Sequence, residues 1–343
     1  MATIRDIARM SGYSIGTVSR VINHRADVSE EARRKIEEII REQNYQPNTS
    51  ARTLRRSVSS EISIVVRGTG NTFLQSVLEK VQICIQDHGE SANVKFIGET
   101  DDEVSVAVEL VQDLKPKGLL FLGGSIPSFR REFSKIDVPS VLITASAEML
   151  DCVGLSSFST DDVDAGATVA KVLLSQGHRR IGILGGYRES SIGEQPEDGP
   201  ASRVWGAVRK LQESGVSFDF GRDYEGCSFS AEGGYQAAER LLRRTPDLTA
   251  IFAISDTIAI GAIRAFNDLG LHVPEDMSVV GFDGIAYAQY CVPRLATIRQ
   301  DAEALARESV EDLLMRISYE RPTVHKKVPY QFINGESVAR PRG

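Results

Sequence analysis

Residues 14–23 read SIGTVSRVIN, and the spacing of their apolar side chains decides the fold of the amino-terminal segment. Ser14 can accept hydrogen bonds from the free amides at the start of a helix. A helix that begins there carries three apolar side chains on one face, which predicts a buried stripe formed by Val18, Val21 and Ile22.

A further helix is predicted on each side of this segment. Thr3 caps the first of them, which ends at Gly12 because glycine readily adopts the left-handed conformation after a helix. Ser29 caps the third helix, which has Ile36 on its apolar face. Two helices joined by a turn of about four residues that includes glycine are typical of a helix-turn-helix unit.

The outward face of the middle helix suits the major groove of DNA. Arginine can donate two hydrogen bonds to guanine, apolar groups can contact thymine methyls, and hydroxyls more often hold phosphates. A small three-helix bundle with an ordinary polar face is the alternative on this pattern alone. The candidate DNA-contacting residues are Ile15, Gly16, Thr17, Ser19, Arg20 and Asn23, with the caps Thr3 and Ser14.

Charge is distributed unevenly along the chain. Residues 1–57 contain 11 Lys and Arg against 7 Asp and Glu, a net charge of +4, whereas the other residues contain 29 against 40, a net charge of −11. A basic end on an acidic body fits a phosphate-binding segment whose body is repelled by DNA. A solvated charged surface explains the same numbers equally well.

A short segment joins this unit to the rest of the chain. Pro47 ends the third helix, because the residue before a proline disfavours the helical conformation, and Asn48 can cap a helix over residues 49–56. A helix of that length is marginal in isolation, so we expect it to fold only on DNA. The predicted divisions are a headpiece over 1–47, a hinge helix over 48–57 and a body over 58–343.

From about residue 61, short apolar runs alternate with amphipathic helices. This alternation predicts an α/β body of two lobes with doubly wound parallel sheets, which looks like the architecture of periplasmic binding proteins. Ligands of such sheets bind at the carboxyl ends of the strands, so we expect one in the cleft between the lobes. The predicted strands are 62–66, 94–97, 119–122 and 141–143 in one sheet and 181–184, 227–229, 251–254 and 279–282 in the other. The expected lobes are 58–159 with 290–320, and 160–289 with 321–343.

Composition and motif content argue against several classes of protein. No apolar run approaches the roughly 20 residues that span a bilayer, and the first residues lack the apolar core of a signal peptide. The four cysteines are scattered, and the five histidines lack metal-ligand spacing. No nucleophile elbow or phosphate-binding loop is present. We therefore expect a cytoplasmic binding protein with no membrane contact, no cofactor and no catalytic activity.

The amino-terminal segment resembles the lactose-repressor (LacI/GalR) family, and the similarity continues to nearly residue 340. The resemblance implies a homodimer that binds double-stranded operator DNA and a small-molecule effector. It also implies that Tyr45 and Asn48 contact DNA, and that Leu54 wedges into the minor groove while Ala51 allows close approach. The matching motifs are Thr3-Ile4-Arg5-Asp6-Ile7-Ala8, Thr17-Val18-Ser19-Arg20-Val21-Ile22-Asn23, Val28-Ser29, Tyr45-Gln46-Pro47-Asn48 and Ala51-Arg52-Thr53-Leu54.

The same resemblance implies effector-binding residues at strand ends of the body. Arg203 matches an arginine that grips effector hydroxyls or carboxylates, and Asp283 matches an effector-binding aspartate. Thr144 and Ser255 stand where Asp and Asn are usual, and core packing is an equal alternative for Phe229. The remaining matched positions are Asn71, Phe73 and Asp162.

Together these features predict a sequence-specific transcriptional regulator, a repressor controlled by a sugar or a related polyol or nucleoside. A cytoplasmic sugar-binding protein without a DNA-binding role is the alternative, but it does not account for residues 1–56. The polar segment 187–200 is longer than the family usually allows and is either a lid on the cleft or an idle insertion.

Overall fold

The computed structural model describes residues 4–13, 17–18, 21, 29–42, 61–68, 70–186 and 200–342 of the chain. These residues belong to two compact units, Met1–Ser57 and Val58–Gly343. Within the described ranges, no helix combines the length and apolar character needed to cross a bilayer.

The first unit is built around a small apolar core. Its described helices are α1 (Ile4–Ser11) and α2 (Glu30–Glu42). Gly12, with φ of 75°, follows α1, and the Ala32 amide donates to the Ser29 hydroxyl over 3.4 Å at the start of α2. The predicted inward positions Val18, Val21 and Ile36 are confirmed, because they form a buried core together with Ile7.

Most of the predicted DNA-contacting positions lie outside the described residues. Thr17 is described, and it is a half-exposed helical residue. The positions that lie outside are Thr3, Ser14, Ile15, Gly16, Ser19, Arg20, Asn23, Tyr45, Asn48, Ala51 and Leu54, together with the predicted hinge 48–57 and the segment 187–199.

The second unit alternates strands and helices in chain order. Its strands are β1 (Glu61–Arg67), β2 (Ser91–Ile97), β3 (Gly118–Leu122), β4 (Ser140–Ile143), β5 (Leu155–Thr160), β6 (Ile181–Leu184), β7 (Tyr224–Glu225), β8 (Ala250–Ala253), β9 (Ser278–Asp283), β10 (Ala296–Gln300), β11 (His325–Val328) and β12 (Tyr330–Ile333). Its helices are α3 (Thr72–Asp87), α4 (Glu103–Leu114), α5 (Ile126–Glu132), α6 (Asp162–Ser175), α7 (Pro200–Glu213), α8 (Ala231–Arg244), α9 (Asp256–Asp268) and α10 (Ala302–Ser318), with 3₁₀ turns at Phe133–Lys135 and Ala286–Gln289.

These strands form two six-stranded sheets with corresponding orders. The first runs β2–β1–β3–β4–β5–β11 and is parallel throughout. The second runs β7–β6–β8–β9–β10–β12 and is parallel except for its last strand. The predicted two-lobed α/β fold is therefore confirmed.

The chain passes between the two sheets three times, after β5, after β10 and after β11. The first lobe therefore contains residues 61–160 and 302–328, and the second contains 162–300 and 330–342. The expected boundaries were wrong for two strands. Residues 296–300 pair with β9 in the second sheet, and residues 325–328 pair with β5 in the first. A strand pattern specifies a strand but not the sheet that it joins, which explains the error.

One predicted strand is also misplaced. The edge strand beside β6 is Tyr224–Glu225 rather than residues 227–229. Cys227 makes only an isolated bridge to Gly186, with its amide donating to the Gly186 carbonyl over 3.0 Å. Because the strand is two residues long, its alternation is too short to separate from the loop that follows it.

Side-chain alternation explains how each sheet is covered. In β1, Ile62, Ile64 and Val66 face a core shared with α3, whereas Val65 faces a second core beneath α4 and α5. In the second lobe, α6 and α7 pack at glycines. A Cβ on Gly166 would lie 2.0 Å from the Arg203 carbonyl oxygen, so only glycine allows this approach.

Candidate functional site

The carboxyl ends of the strands bring together a set of buried polar side chains. Asp283 is the last residue of β9, and Asp162 begins α6 directly after the first passage between the sheets. Arg203 lies on α7, which the glycine contact holds against α6. All three side chains are buried, with 2–5% of each residue exposed.

Arg203 forms the centre of this set. Its Nε donates to Asp162 Oδ1 over 2.8 Å, and its Nη1 donates to the Ile254 carbonyl over 2.9 Å. Nη1 also lies 3.5 Å from Asp283 Oδ1, which makes a second ion pair. The guanidinium carbon lies 3.8 Å from the centre of the Phe282 ring, so the arginine is fixed from its face as well as its edge.

Burial dominates the electrostatics of Asp283. It raises the pKa of this carboxyl to about 7, although the Arg203 cation and the Gln300 amide lower it. The nearby Asp162 charge adds to the increase. Asp283 also has a φ of 115°, a conformation that a non-glycine residue rarely adopts and that often marks a functional position.

Asp256 is a second buried carboxylate of this edge and has a structural set of partners. Burial, and then the Asp283 charge, raise its pKa well above its usual value. Its oxygens accept from the Thr297 hydroxyl over 2.6 Å and from the Ile285 amide over 2.8 Å. These bonds tie the start of α9 to β10 and to the loop that follows Asp283.

Two residues that the sequence did not single out connect this set to the other lobe. Gln300 Nε2 donates to Asp283 Oδ1 over 2.8 Å, and Gln300 Oε1 accepts from the Thr160 hydroxyl over 2.8 Å. Thr160 ends β5 in the first sheet, and Gln300 ends β10 in the second. The signal that could have found them is their position as the last residue of a strand.

The facing edge of the first lobe contains a different ion pair. Arg67, the last residue of β1, donates from Nε to the Glu99 carbonyl over 2.9 Å and from Nη1 to Glu103 Oε2 over 2.8 Å. Glu103 is fully buried, and its other oxygen accepts from the Ser125 amide. Burial raises the pKa of Glu103, whereas the Ser125 amide and Arg67 lower it.

The other predicted effector residues are spread around the two edges. Asn71 Oδ1 caps α3 by accepting from the Phe73 and Leu74 amides over 3.0 and 3.1 Å, and Phe73 is buried in the core. Ser255 caps α9 by accepting from the Ile258 amide over 3.4 Å. Each of these side chains therefore has a local structural role at its strand end.

Thr144 and Phe229 complete the predicted set. Thr144 has a φ of 77° and donates from its amide to the Phe158 carbonyl over 2.9 Å. Phe229 is half-buried against the core of the second lobe. Its carbonyl lies 4.0 Å from the position of a Cβ on Gly70, so the two lobes approach each other here.

A separate pocket lies at the opposite, amino-terminal edge of the first sheet. It is lined by Phe129, Phe133, Cys152 and Arg316, among other residues. The Arg316 guanidinium already donates to the Ser140 and Gly154 carbonyls and to the Ser156 hydroxyl. This arginine therefore holds the amino-terminal ends of the strands together. The buried polar residues Asp162, Arg203 and Asp283 at the carboxyl ends are the better candidate ligand site. Among the described residues, no group of three or more His, Cys, Asp and Glu is placed to hold a metal ion.

Comparison with known proteins gives two family matches. Residues 3–48 match the model of "Bacterial regulatory proteins, lacI family", and residues 170–338 match "Periplasmic binding protein-like domain". These two stretches fall in the first and the second compact unit, respectively.

Similar whole proteins are regulators. The chain is 31% identical to the HTH-type transcriptional regulator MalR of Clostridium butyricum over 340 residues, which cover 97% of this chain and 98% of that protein. It is also 31% identical to the ribose operon repressor of Haemophilus influenzae over 318 residues, 92% of each chain. The lac repressor dimer bound to operator and the anti-inducer ONPF has the same fold, with a TM-score of 0.75 at 24% identity, over 98% of this chain and 99% of that one.

Proposed function

This chain belongs to the lacI family of bacterial regulatory proteins, and we propose that it is a repressor that binds a palindromic operator as a homodimer under the control of a small molecule in its interlobe cleft. It acts on DNA in the cytoplasm and has no catalytic role. The observation that carries the effector half of the proposal is the buried Arg203, held between Asp162 and Asp283 at the carboxyl edge of the second sheet.

Hydroxyl-rich ligands suit this site. An ionised carboxylate accepts hydrogen bonds from hydroxyls, and a guanidinium donates to hydroxyl or carboxylate oxygens in a fixed geometry. The ion pairs among Asp162, Arg203 and Asp283 already fix the orientation of these side chains. Binding a ligand therefore costs little free energy for ordering them. We therefore propose a sugar or a related polyol or nucleoside as the effector, in contact with these three residues and with Asn71, Phe73, Thr144, Phe229 and Ser255.

Exposed apolar side chains support the homodimer. Tyr287, Tyr290 and Val292 are 65–90% exposed on the second lobe, and Ile83 and Phe96 are about half exposed on the first. Large apolar side chains that are exposed close together in the chain, as at 287–292, favour burial against another protein surface. Helix-turn-helix proteins read two half-sites with a two-fold dimer, so the partner we propose is a second copy of this chain.

The proposed allostery uses the passages between the sheets. An effector that engages both edges changes the relative position of the lobes, and the first lobe continues directly from the DNA-binding segment in sequence. The coupling between two such sites is typically about 1–3 kcal/mol, or about 5- to 150-fold in operator affinity.

Operator binding tests this proposal directly. Full-length protein is titrated against its own promoter region at several salt concentrations, and fluorescence anisotropy gives the dissociation constant. Binding should weaken steeply with salt, since phosphate contacts release counterions. Leu54→Ala should lower operator affinity while effector affinity stays near wild type, and Leu114→Ala, an exposed leucine of the body, is the matched control. Effector binding without any DNA binding would favour the sugar-binding protein instead.

A further inference from the structure

The carboxyl edge of the first sheet presents one arginine whose position is fixed by its neighbours. Arg67 Nε and Nη1 are occupied by the Glu99 carbonyl and the Glu103 carboxylate, whereas its Nη2 has no hydrogen-bond partner among the described residues. The side chain is 24% exposed, and it ends β1 at the edge where ligands of such sheets bind. A partly exposed cation therefore lies on the side of the proposed cleft that the first lobe forms, which we call the first wall.

The buried partner makes this cation rigid. Glu103 is the first residue of α4, and its second oxygen accepts from the Ser125 amide, which follows the neighbouring strand β3. Both oxygens of the carboxylate are thus held by the fold before any ligand arrives. A guanidinium held this way has already lost its side-chain conformational entropy in folding. Less conformational entropy is therefore lost when it binds a ligand oxygen.

Two glycines lie beside the backbone of Arg67. Gly68 follows it in the chain with a φ of 81°, and a Cβ on Gly123 would lie 3.5 Å from Arg67 Cβ. Glu99 offers Arg67 its carbonyl oxygen, and its side chain lies over Gly68 instead. Because the Arg67 side chain is 24% exposed, a ligand oxygen can reach its guanidinium.

The opposite wall offers mainly carboxylate oxygens. Arg203 is shared by Asp162 and Asp283, so that set carries more negative than positive charge when both carboxyls are ionised. Such a wall accepts hydroxyl hydrogens and repels an anion. The two lobes are adjacent here, since the Phe229 carbonyl of the second lobe lies 4.0 Å from the position of a Cβ on Gly70, which follows Arg67 closely in the chain.

From this division of hydrogen-bonding groups, a guanidinium edge on the first lobe and carboxylates on the second, we infer that Arg67 binds an anionic substituent of the effector, so that the effector is a polyhydroxylated acid, either a sugar acid or a sugar phosphate. The inference rests on the proposed function, because it names the ligand class of the same cleft. The hydroxyl groups lie against Asp162 and Asp283, and the carboxylate or phosphate pairs with the free edge of the Arg67 guanidinium.

Matched ligands test the charge requirement. Full-length protein is screened by thermal shift and calorimetry with glucose, gluconate, glucuronate and glucose 6-phosphate, and with the corresponding sets built on galactose and ribose. A ligand that binds only the folded state raises the melting temperature. We expect binding by an acidic member of a set and at least about tenfold weaker binding by its neutral counterpart, and the two acidic classes separate carboxylate from phosphate recognition.

Variants of the ion pair test the residue. Arg67→Gln alone leaves Glu103 buried without its partner, so Arg67→Gln/Glu103→Gln is used as well, in which both charges are removed together. Each should lose at least about tenfold in affinity for the acidic ligand and little for DNA without ligand. Arg131→Gln, at an exposed arginine paired with Asp102 beside α4, is the matched control and should bind like wild type.

Three outcomes would overturn the inference. These are equal affinity for neutral and acidic members, an unchanged affinity in the double variant, and no binding by any acidic member. In each case, retained and salt-dependent operator binding leaves the regulator assignment standing. Loss of operator binding by the wild-type protein would instead contradict the proposed function.

Discussion

The two lobes of the body share one strand order, yet their carboxyl edges carry different arrangements of charged side chains. A residue with positive φ stands at the carboxyl end of each of the corresponding strands β4 and β9: Thr144 with 77° just after β4, and Asp283 with 115° as the last residue of β9. In the second lobe one arginine serves two aspartates, whereas in the first lobe one arginine serves one glutamate. The same backbone frame therefore supports two different walls, and the strand-end side chains decide what each wall recognises.

The largest expected effect comes from replacing Arg203, the arginine held by Asp162 and Asp283 at the carboxyl edge of the second lobe. We call these three residues the acidic wall. Arg203→Ala leaves Asp162 and Asp283 buried together without their cation, and breaking a buried pair in this way costs about 3–5 kcal/mol of unfolding free energy. It should also abolish effector binding. The chain's single tryptophan, Trp205, lies two residues away on α7, so its fluorescence during urea unfolding reports on this region.

Arg264→Ala is the matched control for this measurement. Arg264 lies on α9 of the same lobe, is exposed and pairs with Asp268, so its loss should change the unfolding free energy by less than about 0.5 kcal/mol. If both substitutions lowered the unfolding free energy equally, Asp162 and Asp283 would not depend on Arg203 for their stability. The second lobe would then have no special charged set that distinguishes it from the first.

A smaller effect concerns the pH dependence of the acidic wall. Asp283 has a raised pKa of about 7, so the folded protein holds a proton there that the unfolded chain releases near pH 4. Its contribution to the unfolding free energy is fully present below pH 4 and declines as pH rises towards about 7, by at most about 1.4 kcal/mol per pH unit. Asp283→Asn should remove this part of the slope between pH 5 and 7, measured by urea unfolding of both proteins.

The same ionisation has the opposite effect on ligand binding. Hydroxyl donors prefer the ionised carboxylate, so effector affinity should rise about tenfold from pH 6 to pH 8 through the pKa of Asp283. Gln300 and Arg203 face the carboxyl and do not titrate in this range, and Asp162 is paired with Arg203. Asp256 is the other carboxyl coupled to Asp283, and its pKa is raised as well. A pH-independent affinity would place the ionisable contact elsewhere.

The difference between the lobes also explains what the sequence could predict. Asp283 follows the apolar run 279–282, so the amino-acid pattern alone marks it as the end of a strand. The strands that end at Thr160 and Gln300 carry no such mark, because LSSFST and ATIRQ mix polar and apolar residues without a clear period. The serines of β5 are buried because partners from distant segments satisfy them, as when Ser156 Oγ accepts from Arg316 Nη1 over 2.9 Å.

The ion pair between Arg67 and Glu103 could not be predicted from the sequence for a related reason. They are 36 residues apart and meet only because β1 and the start of α4 reach the same edge. A pattern along the chain identifies strand ends but does not give their pairing across the sheet, so a buried ion pair between two ends requires the three-dimensional fold. The lobe boundaries failed because a strand pattern does not tell which sheet a strand joins: residues 296–300 stay beside the preceding strand β9, whereas residues 325–328 return to the distant strand β5.

The smallest expected change in stability tests how the two walls communicate. Thr160→Val removes the hydroxyl that donates from the last residue of β5 to Gln300, a 2.8 Å bond from the first lobe to the second. We expect about 1 kcal/mol or less in unfolding free energy and effector affinity within about threefold of wild type. The ratio of operator affinities with and without effector should nevertheless shrink by about threefold or more, because the bond links Asp283 to the passage between the lobes. Thr168→Val, which removes a 2.9 Å hydrogen bond to Tyr330 within the second lobe, should leave that ratio unchanged. If Thr160→Val weakened effector binding and preserved the ratio, the Thr160–Gln300 bond would belong to the binding site alone, and the two walls would be coupled by another route.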